Sequence, residues 1–262
     1  MPDTMDTMPD RPKLVFLHLP KTGGTSLHRT IAAAFAPGES CPERFGELHR
    51  YSSEELARYR FFSSHYDFDE IARIPGPKFV FTVLRAPKER VLSLHRFWRR
   101  HSAEFVETHA PAGPRFARER GLLEFLRSAS EPPRGAMDNF VARRLAGSVE
   151  VSPEGAFTRT EEGRARPISG MEVVELALRN LRGLDLVGFA DRLDDAYARV
   201  AAAFGLPPVE RLPRLNTRDE LRPGLEPAEA EPVTPEVEAE LDRLTDLDRM
   251  VYRLARRHGR PR

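Results

Sequence analysis

At 262 residues, with 40% apolar and 31% charged side chains, the chain has the composition of a folded globular protein and the length for one large α/β domain. Its 41 basic and 40 acidic residues leave a formal charge of +1, so no general polyanion surface and no nucleic-acid partner is expected, and any anion site must be local. The single cysteine, Cys41, excludes an internal disulfide and a CxxC metal site, and without a base or charge signature around it reads as an ordinary thiol.

Residues 1–12 are polar and rich in Pro and Asp; they read as a disordered tail without the apolar core of a signal peptide. No stretch reaches the eighteen or so apolar residues of a membrane span, and a cytoplasmic protein is expected. Lys13–Leu17 is an apolar run too short for a helix and bounded by Pro12, the pattern of a buried parallel strand. Residues 28–35 place Ile31 and Ala34/Phe35 on one face with Leu27, the pattern of a helix. Between them lies Leu17-His18-Leu19-Pro20-Lys21-Thr22-Gly23-Gly24-Thr25-Ser26-Leu27. A strand, a glycine turn and a helix start make an anion site, because glycines let backbone N–H groups approach and the first helical amides are unpaired. Thr25 and Ser26 add hydroxyls that either cap the helix or donate to the same anion.

Further along, Ser52-Ser53-Glu54-Glu55 is a capping box opening a short helix, residues 60–68 read as a short strand ending in a polar loop, and residues 69–74 as a small helix. Lys78–Leu84 is aromatic and β-branched on both faces, a central parallel strand. It runs into a helix with Pro87 in its first turn and Val91, Leu94/His95 and Trp98 on one face. Residues 101–120 read as a long loop, Leu122–Arg127 and 137–145 as helices, and 147–169 as an irregular excursion. Residues 171–181 are a helix, 184–189 a strand and 191–204 a helix; 205–233 is a Pro-rich irregular wrap, and 234–258 closes the chain as one amphipathic helix. Alternating strands and helices predict a single α/β domain over 13–258, with a three-layer αβα arrangement around a central parallel sheet and its ligand at the edge where the strand-following loops meet.

The ATP/GTP loop G-x-x-x-x-G-K-[ST] does not fit, because Lys21 precedes the glycine pair and no Gly-Lys-Ser/Thr follows. Pro-Lys-Thr-Gly-Gly-Thr-Ser instead resembles the 5′-phosphosulfate loop of sulfotransferases, which use 3′-phosphoadenosine 5′-phosphosulfate (PAPS). Arg85-Ala86-Pro87-Lys88-Glu89-Arg90-Val91-Leu92-Ser93 resembles their 3′-phosphate motif, Arg-x-Pro-x-x-Arg-x-x-Ser. Weaker similarities lie at residues 138–147, 187–191 and 246–252, so the resemblance spans about 13–258 and points to the branch of carbohydrate O-sulfotransferases and their bacterial relatives.

That resemblance implies a P-loop-NTPase-like sulfotransferase fold and transfer of a sulfuryl group from PAPS to an acceptor hydroxyl on a carbohydrate or glycolipid, with membrane contact only through a lipid-linked acceptor. It implies that the amides from Lys21 through Thr22, Gly23, Gly24, Thr25 and Ser26 hold the 5′-phosphosulfate, that Lys21 offsets charge on the bridging oxygen, and that Arg85 and Ser93 hold the 3′-phosphate. Nothing in this pattern demands a metal. For the base, Ser64-His65-Tyr66 resembles the Gly-His-Val segment of uronyl 2-O-sulfotransferases, which points to His65, with Glu47, Asp67 or Asp69 as substitutes. His18 is expected to orient the loop by a hydrogen bond. Trp98 either packs its helix or stacks on adenine, and Arg143 or Arg144 either reaches the anion or lies on a solvated face. His101 and His109 read as surface residues. The competing classes are a non-catalytic nucleotide-binding protein of the same fold and an atypical P-loop kinase or NTPase.

Overall fold

The computed structural model describes residues 11–109, 111–128, 133–213 and 223–258. In chain order the elements are β1 (Lys13–Leu17), α1 (Gly24–Ala32), α2 (Ser53–Ala57), β2 (Phe61–Ser64), β3 (Lys78–Leu84), α3 (Pro87–Arg99), α4 (Ala103–His109), α5 (Ala112–Glu119), α6 (Leu122–Arg127), α7 (Pro133–Met137), α8 (Phe140–Ala146), β4 (Val149–Val151), β5 (Phe157–Glu161), β6 (Arg164–Ile168), α9 (Gly170–Arg182), β7 (Leu186–Phe189), α10 (Leu193–Phe204), α11 (Pro235–Leu244) and α12 (Asp246–His258).

Strands β2, β1, β3 and β7 pair in that order, all parallel, into a sheet whose central members are apolar on both faces. Alternate residues feed two cores. Leu14 and Phe16 of β1 pack with Leu27 and Ile31 of α1 and with Ala196, Tyr197 and Val200 of α10. Val15 and Leu17 pack on the other face with Val141 and Leu145 of α8, Val173 and Ala177 of α9, and Val251 of α12. The result is a helix–sheet–helix sandwich. A third cluster joins Val91 and Leu94 of α3 to Phe125 and Leu126 of α6 and to Val237 and Leu241 of α11, which caps one end. Leu17 stands opposite Ser64 on one side and Thr82 on the other, so the residues after β1, β2 and β3 emerge at one carboxyl edge. The chain leaves β1 for β2 and returns to β3 on its far side; this reversal of direction is the usual ligand crevice of such sheets.

The Ser52–Glu55 capping box forms in full. Several sequence expectations give way to the structure. Residues 101–120 are not a loop: α4 and α5 fold there, with Val106 and Ala117 as buried anchors among many charges. Residues 147–169 form an antiparallel three-stranded sheet, β4-β5-β6, whose exposed faces hide the apolar alternation. The helix expected at 137–145 is two, α7 and α8, divided at Asn139, which takes φ 45. The closing helix is also two, because Thr245 leaves the helical region at φ −131. These two breaks meet. Asn139 Oδ1 accepts from the amides of Leu247 (2.9 Å) and Asp248 (3.2 Å), and Asp248 Oδ1 accepts from the Ala142 amide (2.7 Å). Each helix start thus supplies the cap of the other. The wrap at 205–233 contains no helix or strand among its described residues. The tail expected at 1–12 lies, for residues 1–10, outside the described residues. Among the described residues no helix is long and apolar enough to cross a membrane.

Candidate functional site

At the carboxyl edge of the sheet a cavity of about 450 Å³ is lined by His18, Lys21, Gly23, Gly24, Thr25, His65, Arg85, Arg90 and Ser93, with an apolar wall of Leu94, Phe97, Trp98 and Phe140. Seven of the sequence-predicted residues therefore meet: Lys21, Gly23, Gly24, Thr25, His65, Arg85 and Ser93. Thr22 and Ser26 do not line it. Thr22 is buried and its hydroxyl donates to the Leu19 carbonyl at 2.8 Å, tying the loop to itself. Ser26 is buried in the first turn of α1, whose cap is Gly23 with no side-chain cap bond, so neither Thr25 nor Ser26 is the cap.

The loop's shape follows from its glycines. Gly23 takes φ 86, and a Cβ on Gly24 would lie 2.0 Å from the His18 ring. His18 thus orients the loop by packing its ring under Gly24 rather than by an imidazole hydrogen bond; its Nδ1 has no hydrogen-bond partner. We expect Gly24→Ala to displace the loop at a cost of about 1–3 kcal/mol. Thermal unfolding and phosphate-ester binding on the variant check this, and native-like behaviour in both would refute the close-packing argument.

Backbone register positions the candidate base, His65. His65 Nδ1 lies 2.7 Å from the His18 carbonyl, and the two rings are 4.7 Å apart. A carbonyl only accepts, so Nδ1 carries the hydrogen and Nε2 keeps the lone pair. Burial pushes His65 below its ordinary value and His18 well below, so both rings are neutral. The substitute bases are elsewhere. Glu47 pairs with Arg50 at 2.8 Å, while Asp67 and Asp69 face a separate polar cleft with Arg144 and Arg159.

Arg85 donates from Nη1 to the Lys21 carbonyl at 3.2 Å, linking the 20–25 and 85–93 stretches directly, and its Nε lies 3.4 Å from Glu89. Lys21, Arg85 and Arg90 give the lining three cationic side chains and no carboxylate. Burial, with Arg85, Arg100 and Arg96 nearby, lowers Lys21 to about 7. The sequence reading missed Arg90, though it stands one helical turn before Ser93. It is fully buried, donates from Nη2 to the Ala136 carbonyl at 2.9 Å, and leaves Nε without a hydrogen-bond partner.

No protein-family model matches the chain, and no curated protein matches it significantly.

Arg143 is neither an anion ligand nor solvated. It is buried and donates to the carbonyls of Asp138 (2.9 Å), Val149 (3.0 Å) and Gly135, clamping α7, α8 and β4. Arg144 lies in the polar cleft, 3.8 Å from Asp67. Trp98 packs edge-on against Phe125 and leaves room at residue 113 only for glycine. His101 is not a surface residue: it is half-buried, with Nδ1 3.1 Å from the carbonyls of Phe97 and Trp98, whereas His109 is exposed. Cys41 is buried, and burial pushes its thiol up, as for an unreactive cysteine. Among the described residues no group of three or more His, Cys, Asp or Glu is placed to hold a metal ion.

Proposed function

We propose that the chain is a PAPS-dependent sulfotransferase of P-loop-like fold, acting on an acceptor hydroxyl of a carbohydrate or glycolipid. One observation carries the reading: two separate anion-type stretches, 20–25 and 85–93, line one carboxylate-free cavity together with a neutral histidine whose Nε2 keeps its lone pair. The cavity's residues suit a dianionic nucleotide. Its volume falls in the range of small-molecule sites, its apolar wall can face a base, and among the described residues Arg90 Nε has no hydrogen-bond partner and the Lys21 amine rests on the Phe97 ring.

The donor, when bound, supplies an activated sulfuryl group on a phosphate leaving group. The chain's residues divide the remaining work. Amides of the Gly23–Thr25 turn, at the start of α1, offer fixed donors to the anion. Lys21 brings charge to the same end, and an anion beside it favours its protonated form. Arg85 and Ser93 hold the second phosphate. His65 Nε2 takes the acceptor's proton.

Calorimetry with 3′-phosphoadenosine 5′-phosphate against ADP tests this, since both carry two phosphates and differ in where the second one sits. The native protein is expected to prefer the 3′-phosphate ligand at least tenfold, and Arg85→Ala to lose that preference, each tenfold being about 1.4 kcal/mol. Equal or tighter ADP binding would overturn the reading and return the chain to the kinase or NTPase class.

A further inference from the structure

The side chain of Lys21 rests on something other than an anion. Its Nζ lies 3.7 Å from the centroid of the Phe97 ring, and its backbone holds φ 70, a left-handed conformation that few non-glycine residues adopt. Among the described residues, Nζ makes no hydrogen bond or ion pair. The charged and titratable groups around it are Arg85 from the turn after β3, Arg96 of α3, Arg100 and His101 just beyond that helix, and His18 just after β1. None of these attracts an ammonium group. The face of Phe97 does, through the negative centre of its ring. Phe97 lies one turn beyond Ser93 on α3 and lines the same cavity, so the ring sits on the wall across which an anion on the loop would face the amine.

We propose that Phe97 is the positioning residue of Lys21: its ring holds the ammonium group against the α3 wall while the cavity has no anion, and releases it to an anion held by residues 20–25. The proposal rests on the anion-site part of the reading above and is independent of whether that anion is a sulfuryl donor. An entering anion then competes with the ring for the charged amine. The competition exists only where the amine is charged without ligand. With Lys21 near 7, that is so at pH 6 and largely not at pH 8, where an anion instead draws a proton onto the amine.

The sign of the Phe97→Leu effect therefore depends on pH in a way that a loss of packing does not reproduce. Binding of 3′-phosphoadenosine 5′-phosphate is measured by calorimetry at pH 6 and pH 8, comparing each variant with the native protein at the same pH. Phe97→Leu removes the ring face, and we expect it to bind about two- to fivefold tighter than native at pH 6 and equally at pH 8. Phe97→Trp, with the stronger ring face, moves the pH 6 affinity the opposite way. Competitive acetylation of the ligand-free proteins, read by mass spectrometry, gives the Lys21 titration directly. Its midpoint is expected to fall by about half a unit or more in Phe97→Leu and to rise in Phe97→Trp. Equal or weaker binding of Phe97→Leu at pH 6, or a Lys21 midpoint unmoved by both substitutions, would overturn the proposal. Should the native protein prefer ADP, the sulfotransferase reading falls while the Phe97 comparison is made with ADP; the acetylation result needs no ligand at all.

Discussion

Asp248→Ala is expected to destabilise the fold by about 3–5 kcal/mol. Asp248 is fully buried, and its carboxylate accepts from the amides of Ala142 at 2.7 Å and Val141 at 3.4 Å, at the start of α8. The charges of Arg90 and Arg143, both buried, favour its ionised form. Alanine there leaves helix-start donors unpaired and takes the counter-charge from two buried guanidinium groups. In a domain of this size such a loss lowers the unfolding midpoint on the order of 10 °C, which circular dichroism would resolve. Asp248→Asn, which keeps the shape and one acceptor, should lose distinctly less. A midpoint within about 2 °C of native for the alanine variant would refute the capping role. Burial nevertheless raises this carboxyl to about 6. Its folded value lies above its unfolded one, so the folded state binds the extra proton between about 4 and 6. This group therefore adds stability as pH falls through 6 toward 4, and that component should vanish in the asparagine variant.

Under the proposed function, His65→Ala is expected to slow sulfuryl transfer by about 10²- to 10⁴-fold while leaving affinity for 3′-phosphoadenosine 5′-phosphate within about twofold of native. The division follows from geometry. His65 meets the loop at His18, through its carbonyl and a ring contact at 4.7 Å, whereas the anion contacts assigned above come from Lys21, the turn amides, Arg85 and Ser93. Release of the bisphosphate product from the donor, followed chromatographically with and without acceptor, measures the rate. Full activity in His65→Ala would remove it from the chemistry; weakened ligand binding would make it a loop support instead. Because burial lowers His65, its base form persists to a lower pH than a free histidine allows, and the acid limb of the rate profile should lie below about 6.5.

The sheet and the two stretches that line the cavity were legible because they depend on local patterns. Lys13–Leu17 and Lys78–Leu84 fold as strands over the predicted residues, and Pro87 opens α3 as expected. The parts that were not legible depend on distant partners. Nothing near Asn139 announces a helix break; its side chain answers to Leu247 and Asp248, over a hundred residues away. Residues 149–168 lack apolar alternation because β6 is exposed along nearly its whole length. Arg90 stood in plain sight within a recognised motif, but its complete burial arises from α7 and α8 closing over it. Likewise, Arg143 looks like a surface helix residue until three carbonyls from α7, its own flank and β4 surround it.

The mutual cap between residue 139 and residues 246–248 also orders events in time. A chain made from its first residue onward completes the loop at 20–25, β3 and Arg85 long before Asp248 exists. Until α12 arrives, the start of α8 has no acceptor for its amides, and Phe140 has no fixed seat opposite Arg90. The nascent protein thus has the turns at 20–25 and after β3 early but lacks the Phe140 side of the cavity's apolar wall. Contacts this remote in sequence form slowly. The part of the sheet face that α12 covers is accordingly exposed for nearly the whole of synthesis.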